Sequence, residues 1–120
     1  MKYLLLVHHD EVAFMKIDEA KRQQMLEESL QLTHQLHTNG QYVSASPLQP
    51  AATAAIVRVR DGKQAVTDGP FVETKEQLAG YFLINAKDLN EAIRIATRVP
   101  GARIGTVEVR PLIEISGLPA

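Results

Sequence analysis

A continuous apolar run near the start of the chain, from Tyr3 to Val7, constrains the fold more than any other segment. It lacks the alternation of polar and apolar residues, which is typical of a strand that is buried on both faces. Leu4 and Leu6 point to the side opposite Tyr3, Leu5 and Val7. Leaving this second side in water would cost about 1.5–3 kcal/mol per large side chain. We therefore expect a second copy of the chain to cover it.

Two helices and five further strands are predicted along the rest of the chain. The first helix is expected from Asp18, as its N-cap residue, to about Asn39, because Gly40 suits the position after a helix. The second begins at Asp88, with Glu91 three residues later. The six strands are predicted at residues 3–7, 42–48, 54–60, 64–67, 78–84 and 106–110.

The order strand, helix, strand, hairpin, strand, helix, strand predicts an α+β fold, a ferredoxin-like split βαβ with an inserted β-hairpin. Asp61-Gly62 supplies the hairpin turn. Both helices of such a sheet lie on one face, so the second copy would pack on the other. We therefore expect a homodimer whose facing sheets form a dimeric α/β barrel. With 120 residues and no internal repeat or linker, residues 1–120 are expected to be one domain.

The segment from Asp68 to Glu76 has an unusual composition for a connecting loop. It opens with Asp-Gly-Pro, which favours a turn, and then places an aromatic ring and two carboxylates within a few residues. Thr74 and Gln77 have the spacing of a capping box, so one short helical turn is predicted there. Residues 10–17 are expected to form a second loop. We expect the Asp68 loop to serve function, because such segments usually cost stability.

Charge and composition exclude several classes of function. The formal net charge is −1 and the pI is about 6.4, so no basic face for nucleic acid is predicted. The chain has no cysteine, which excludes disulfides and thiol chemistry. Its first apolar run is too short for a membrane span or a signal segment, which favours a cytoplasmic location and no membrane partner. No phosphate-binding glycine-rich loop follows a strand, so no organic cofactor is expected.

Several segments resemble the YCII-related proteins, in the branch named after its Asp-Gly-Pro-Phe (DGPF) motif. They are Leu48-Gln49-Pro50, Val66 to Phe71, Glu73 to Glu76 with Gly80-Tyr81, and Glu108-Val109-Arg110-Pro111. The resemblance covers nearly the whole chain and implies a dimeric α/β barrel of ferredoxin-like subunits. Proteins with this barrel include muconolactone-isomerase-like and dehydrochlorinase-like enzymes. It also implies a genomic association with extracytoplasmic-function sigma factors.

One departure from the family affects the predicted chemistry. Some YCII-type proteins carry a His on the first helix that pairs with an Asp as a catalytic dyad. That helix position corresponds to Ser29 in this chain, so acid–base chemistry would have to use other groups.

The candidate catalytic residues are Asp68, His8 and His9. Asp68 could act as a general base at a pocket mouth, or its side chain could accept backbone N–H groups of its own turn. The two histidines leave the first strand in opposite directions, and one of them should face the open side of the sheet as a proton carrier. His8 shares the side of Leu4 and Leu6, and which side is open stays undecided. Both could instead lie at a solvated strand end.

Four further residues are candidates for binding a substrate. Arg110 could hold a carboxylate in a bidentate clamp, or form a buried ion pair with Glu108 or Glu73 that fixes the loop. Phe71 could line a pocket or pack at a dimer edge. Glu73 could be an acid–base group, as could Glu76, or sit in the first turn of the short helix. Glu108 is the fourth candidate, since it shares the polar side of the last strand with Arg110.

No metal site is expected, since His34 and His37 lack a third ligand with suitable spacing. Ser29 and Thr33 interrupt the apolar stripe of the first helix, where they could face a pocket, or Thr33 could bond back to its own helix.

These residues support two functions of different classes. The first is a small-molecule lyase or isomerase without cofactor, which binds a small organic acid and moves a proton in a pocket at the dimeric barrel. The second is a non-catalytic regulatory module, which binds a ligand or a partner such as a sigma factor. Fold analogy alone does not decide between them.

Overall fold

The computed structural model describes residues 1–119 and shows an α+β fold with antiparallel sheets and three helices. The strands are β1 Lys2–His9, β2 Tyr42–Pro47, β3 Ala55–Arg60, β4 Lys63–Asp68, β5 Gln77–Asn85 and β6 Thr106–Pro111. The helices are α1 Glu11–Met15, α2 Glu19–Thr38 and α3 Leu89–Thr97, with 3₁₀ turns at Ala51–Thr53 and Pro100–Arg103. None of the helices in residues 1–119 is long and apolar enough to cross a membrane.

Four strands form the main sheet in the order β2-β5-β1-β6, and each neighbouring pair is antiparallel. Helix α2 connects β1 to β2, and α3 connects β5 to β6. Both helices pack on the same face, since their buried side chains join those of β1 and β5 in one core. The largest fully buried members of this core are Tyr3, Leu5, Leu36, Ile84 and Val99. Within the described residues, the four-stranded sheet does not close into a barrel.

The alternation along β1 assigns its two faces. Tyr3, Leu5 and Val7 are buried beneath the helices, whereas Leu4 and Leu6 are only half-buried on the opposite side. We call this opposite side the open face; on it lie Leu4, Leu6 and His8 of β1, Tyr81 and Leu83 of β5, and Glu108 and Arg110 of β6. The face left undecided from the sequence is thus resolved, because His8 lies on the open face and His9 on the helix side.

The N-terminus of α3 forms as predicted, whereas the N-terminus of α2 lacks one expected hydrogen bond. The Asp88 side chain accepts a hydrogen bond from the Glu91 N–H at 2.9 Å, and the Glu91 carboxylate accepts one from the Lys87 N–H at 3.0 Å. Gly40, with φ +71°, follows α2 as expected. Asp18 occupies the N-cap position of α2, but its side chain makes no capping hydrogen bond within residues 1–119. The predicted position of the cap is therefore confirmed, without the side-chain hydrogen bond that is usual there.

Two local predictions are corrected by the structure. Residues 10–17 are not a loop throughout, because Asp10 accepts from the Ala13 N–H at 3.1 Å and caps the short helix α1. The segment from Thr74 to Gln77 does not form a helical turn. Gln77 instead begins β5, and its side-chain amide donates back to the Thr74 carbonyl at 2.6 Å. The capping-box spacing failed here because the strand pairing of β5 with β1 competes with a helical turn.

Strands β3 and β4 form a separate two-stranded antiparallel sheet. Asp61 and Gly62 have φ values of +52° and +74°, as the predicted two-residue turn requires. Val57, Val59 and Val66 share one face of this hairpin and are mostly exposed. The radius of gyration is 16.3 Å, whereas a compact chain of this length has about 13.6 Å. The β3–β4 hairpin accordingly extends away from the core.

Candidate functional site

A cleft of about 220 Å³ lies on the helix side of the sheet, between α1, α2 and the strands β2 and β5. Much of its wall is apolar, with Met25, Leu26, Leu30, Phe82 and Ile104 among the lining residues. A few polar residues also line it, namely His9, Arg22, Ser29 and Thr33. A concave apolar site with few polar groups is the usual form of a small-molecule site.

His9 is the titratable group of the cleft. It lies at the end of β1, and its ring stacks on Phe14 with centroids 4.3 Å apart and planes 12° apart. Burial lowers the pKa of the His9 imidazole below its ordinary value, although the carboxylates of Glu11, Glu76 and Asp10 act in the opposite direction. A lowered pKa keeps the ring neutral at pH 7, and a neutral imidazole can accept a proton.

The lowered pKa of His9 predicts the sign of a pH dependence. The unfolded chain takes up this proton near pH 6.5, and the folded chain takes it up only at lower pH. The unfolded state therefore binds more protons between these values, so the His9 contribution to stability is full above pH 6.5 and is lost as the pH falls towards the folded pKa. An NMR titration of the His9 ring should give a midpoint below 6.5. A midpoint at or above 6.5 would show that the neighbouring carboxylates affect the pKa of His9 at least as strongly as burial does.

Helix α1 holds Phe14 against His9. The Glu11 N–H donates to the Gln77 side-chain oxygen at 2.9 Å, which fixes the start of α1 to β5. The Glu11 carboxylate accepts from the Ala51 N–H at 3.0 Å, which links it to the 3₁₀ turn after β2. Because these bonds reach two separate segments, α1 forms a fixed side of the cleft.

Helix α2 supplies the remaining polar groups. One terminal nitrogen of Arg22, Nη1, donates to the carbonyls of Met15 and Ile17 at 3.1 and 2.6 Å. None of the ion pairs found in residues 1–119 includes Arg22. The Thr33 hydroxyl donates to the Leu30 carbonyl at 2.6 Å, which is the bond back to its own helix considered from the sequence.

The predicted site residues of the open face form a separate group. His8 Nε2 lies 3.9 Å from Glu108 Oε1, and Arg110 Nε donates to Glu108 Oε2 at 3.2 Å. The side chains of Arg110 and Glu108 are 65% and 41% exposed. The ion pair considered from the sequence therefore forms with Glu108, but it is exposed and not buried.

The predicted residues of the Asp68 loop lie at and beyond the base of the hairpin. Asp68 pairs with Ala55 across the hairpin, and in the part of the chain that the structure describes its carboxylate accepts no hydrogen bond. The turn-capping role considered for it is thus not formed. Phe71 is 67% exposed, with the Arg58 guanidinium 5.3 Å from its ring centroid. Glu73 is exposed and outside any helix.

Of the predicted site residues, His9 lines the cleft, while His8, Glu108 and Arg110 meet on the open face. The sequence interpretation missed Phe14 and Arg22. A signal for Phe14 existed, because Asp10 is a good N-cap residue and Phe14 follows four positions later. Nothing in the local sequence marks Arg22. Residues 1–119 contain no cluster of three or more side chains suited to a metal ion.

Comparison with known proteins identifies the family. The model of the YCII-related domain matches residues 1–116. An uncharacterized protein of Rhizobium meliloti (strain 1021) is 32% identical over 114 residues, which cover 93% of this chain and 92% of the relative. The family match spans all six strands and all three helices. The chain therefore belongs to the YCII-related family.

Proposed function

We propose that this YCII-related protein is a cofactor-independent lyase or isomerase that moves a proton in the helix-side cleft. The observation that carries this proposal is His9, which is stacked on Phe14 in an apolar cleft and has a lowered pKa. A histidine that is neutral at working pH is suited to act as a general base. Perturbed titratable groups in clefts are commonly functional.

The chemistry would be proton abstraction from a carbon next to a carbonyl group. His9 would take the proton, and the electron pair of the broken C–H bond would move towards the carbonyl oxygen. A hydroxyl group that lines the cleft, such as that of Ser29, could donate a hydrogen bond to that oxygen. In a β,γ-unsaturated substrate the electron pair is shared with the γ-carbon, and return of the proton to that carbon would shift the double bond and complete an isomerisation. In a substrate with a leaving group on the β-carbon, a double bond would form between the α- and β-carbons as the group departs with its bonding electrons, which would complete an elimination.

The test is deuterium exchange into small carbonyl compounds and carboxylic acids in D₂O. We expect the protein to accelerate loss of an α-proton NMR signal for at least one compound, relative to buffer. Such exchange needs only abstraction and return of a proton, so it detects the chemistry before the natural substrate is known. If a broad panel shows no acceleration at any pH between 7 and 9, where a lowered pKa leaves the His9 ring neutral, the catalytic proposal fails.

We further propose that the chain is a ferredoxin-like subunit of the DGPF branch that dimerises through its open face. Leu4, Leu6 and Leu83 are half-buried on this face without a covering layer in the single subunit. A second sheet would bury them and would place His8 and Arg110 at the interface. Their predicted roles, and that of Asp68, would then depend on the partner subunit.

Replacing Leu6 by Arg should dissociate this dimer. The substitution puts one bulky charged side chain per subunit at the centre of this face, where its removal from water is costly even beside Glu108, the residue opposite on β6. Light scattering at micromolar concentration should give twice the 13.3 kDa of one chain for the wild type, and the mass of one chain for the variant. Ile93→Arg, on the outer surface of α3, is the control and should stay dimeric. A monodisperse wild-type monomer would contradict the proposal.

A second candidate function is a non-catalytic module that binds a partner such as an extracytoplasmic-function sigma factor. The observation that favours it is the β3–β4 hairpin, with Val57, Val59 and Val66 exposed on one face. A two-stranded hairpin by itself is marginally stable, so an apolar face of this kind favours a partner. Absence of deuterium exchange, together with retention of such a sigma factor on the immobilised protein, would favour this function.

A further inference from the structure

We infer that the cleft binds a small monocarboxylate with an apolar body, and that Arg22 binds its carboxylate group. This inference rests on the proposed function, since it names the ligand class of the same cleft. The sequence predicted that Arg110, on the open face, would bind a carboxylate. The present inference gives this role to Arg22, which lies on the helix side of the sheet.

The first argument is the charge of Arg22. Arg22 is a half-buried residue that lines the cleft, and no carboxylate in residues 1–119 forms an ion pair with it. A partly buried charge without a counter-ion is unfavourable, and binding of an anion would remove this cost. In contrast, Arg103 and Arg110 already have carboxylate partners in Glu28 and Glu108.

The second argument is the position in which Arg22 is held. Its Nη1 atom is occupied by the carbonyls of Met15 and Ile17. These bonds fix the plane of the guanidinium and leave Nε and Nη2 as donors. Nε and Nη2 lie on one edge of the group and match the two oxygens of a carboxylate. Two carbonyls that hold one nitrogen therefore leave the other edge of the guanidinium available to a ligand.

The third argument is the size and polarity of the cleft. A cavity of about 150 Å³ accepts benzene in another protein, so a cleft of about 220 Å³ suits one ring or a branched chain with a short tail. Met25, Leu26 and Leu30 line it from α2, and Phe82 from β5. An extended polar compound, such as a sugar or a nucleotide, would leave most of its groups without partners on this wall.

The test compares 3-phenylpropanoate with its amide, which has the same shape but no charge. Calorimetry at pH 7 should show the acid binding the wild-type protein about tenfold or more tightly than the amide. Arg22→Gln should remove this preference, and Arg22→Lys should retain part of it. Lys21→Gln is the matched control, because it removes an exposed positive charge next to Arg22 that does not line the cleft. It should leave the preference unchanged.

The outcomes separate this inference from the proposed function. Equal binding of acid and amide, with shifts of the His9 and Phe14 NMR signals, would overturn the role of Arg22 and leave the cleft as a binding site. Absence of those shifts for both compounds would overturn the inference, while deuterium exchange still tests His9 separately. The acid–amide comparison uses the wild-type protein, so it remains decisive even if Arg22→Gln disturbs the segment after α1.

Discussion

His9→Gln is expected to lower the rate of deuterium exchange by about 10²- to 10⁴-fold, the usual contribution of a general base. Gln keeps a polar side chain of similar length but cannot take up a proton near neutral pH. The cleft, Phe14 and Arg22 remain, so binding of 3-phenylpropanoate should change much less than the exchange rate. The measurement is the loss of the α-proton signal in D₂O, at equal protein concentration and pH 7.

The matched control for this substitution is His34→Gln. His34 is exposed on α2 and does not line the cleft, so its replacement should leave the exchange rate unchanged. Loss of exchange in both variants would point to a general effect on the protein. Exchange at the wild-type rate in His9→Gln would exclude His9 as the base, and the predicted alternatives Asp68 and His8 would become the next candidates.

Gly105→Ala is expected to lower the free energy of unfolding by about 3 kcal/mol or more, at the upper end of the range for overpacking. A methyl group at Gly105 would lie 2.0 Å from the carbonyl oxygen of His8. That carbonyl belongs to β1, which is paired on both sides, so it cannot move away freely. Urea unfolding, with the slope compared between variants, measures the change.

Gly40→Ala provides the comparison for Gly105→Ala. Gly40 has φ +71°, and an added methyl group would meet no atom within 4 Å. Its replacement should therefore cost only the strain of the left-handed conformation, about 1–2 kcal/mol. A smaller loss of stability in Gly105→Ala than in Gly40→Ala would contradict the close approach of Gly105 to β1.

Local signals predicted much of the fold because they act through the backbone of neighbouring residues. The side chains of Asp88 and Glu91 make the predicted capping hydrogen bonds. Asp61 and Gly62 have the positive φ values that the predicted two-residue turn requires. Thr74 and Gln77 carry a similar signal, but Gln77 is taken into β5 by pairing with His9. Strand pairing is non-local, so it can override a local preference that is worth only about 0.5–2 kcal/mol.

The site was less predictable because its groups come together only through tertiary packing. Both faces of β1 are apolar, so the alternation linked His9 to Leu5 and Val7 without showing which face the helices cover. Arg22 matters because the chain after α1 brings two carbonyls to it, and no sequence pattern records that contact. The family resemblance drew attention to Asp68, whereas the titratable group in the cleft is His9.

The β3–β4 hairpin joins the main sheet only at its base, which affects how cooperatively the molecule unfolds. The Leu48 N–H donates to the Ala79 carbonyl at 2.8 Å, so the chain departs and returns at neighbouring points of the sheet. The Gly69 N–H closes the base of the hairpin on the Ala54 carbonyl at 2.7 Å. Strands β3 and β4 pair with each other and not with the main sheet, so we expect the residues between Ala54 and Gly69 to lose their order at a lower free energy than the four-stranded sheet. The hairpin is thus expected to open as a separate unit, and substitutions in it should change the stability of the core less than substitutions in the main sheet do.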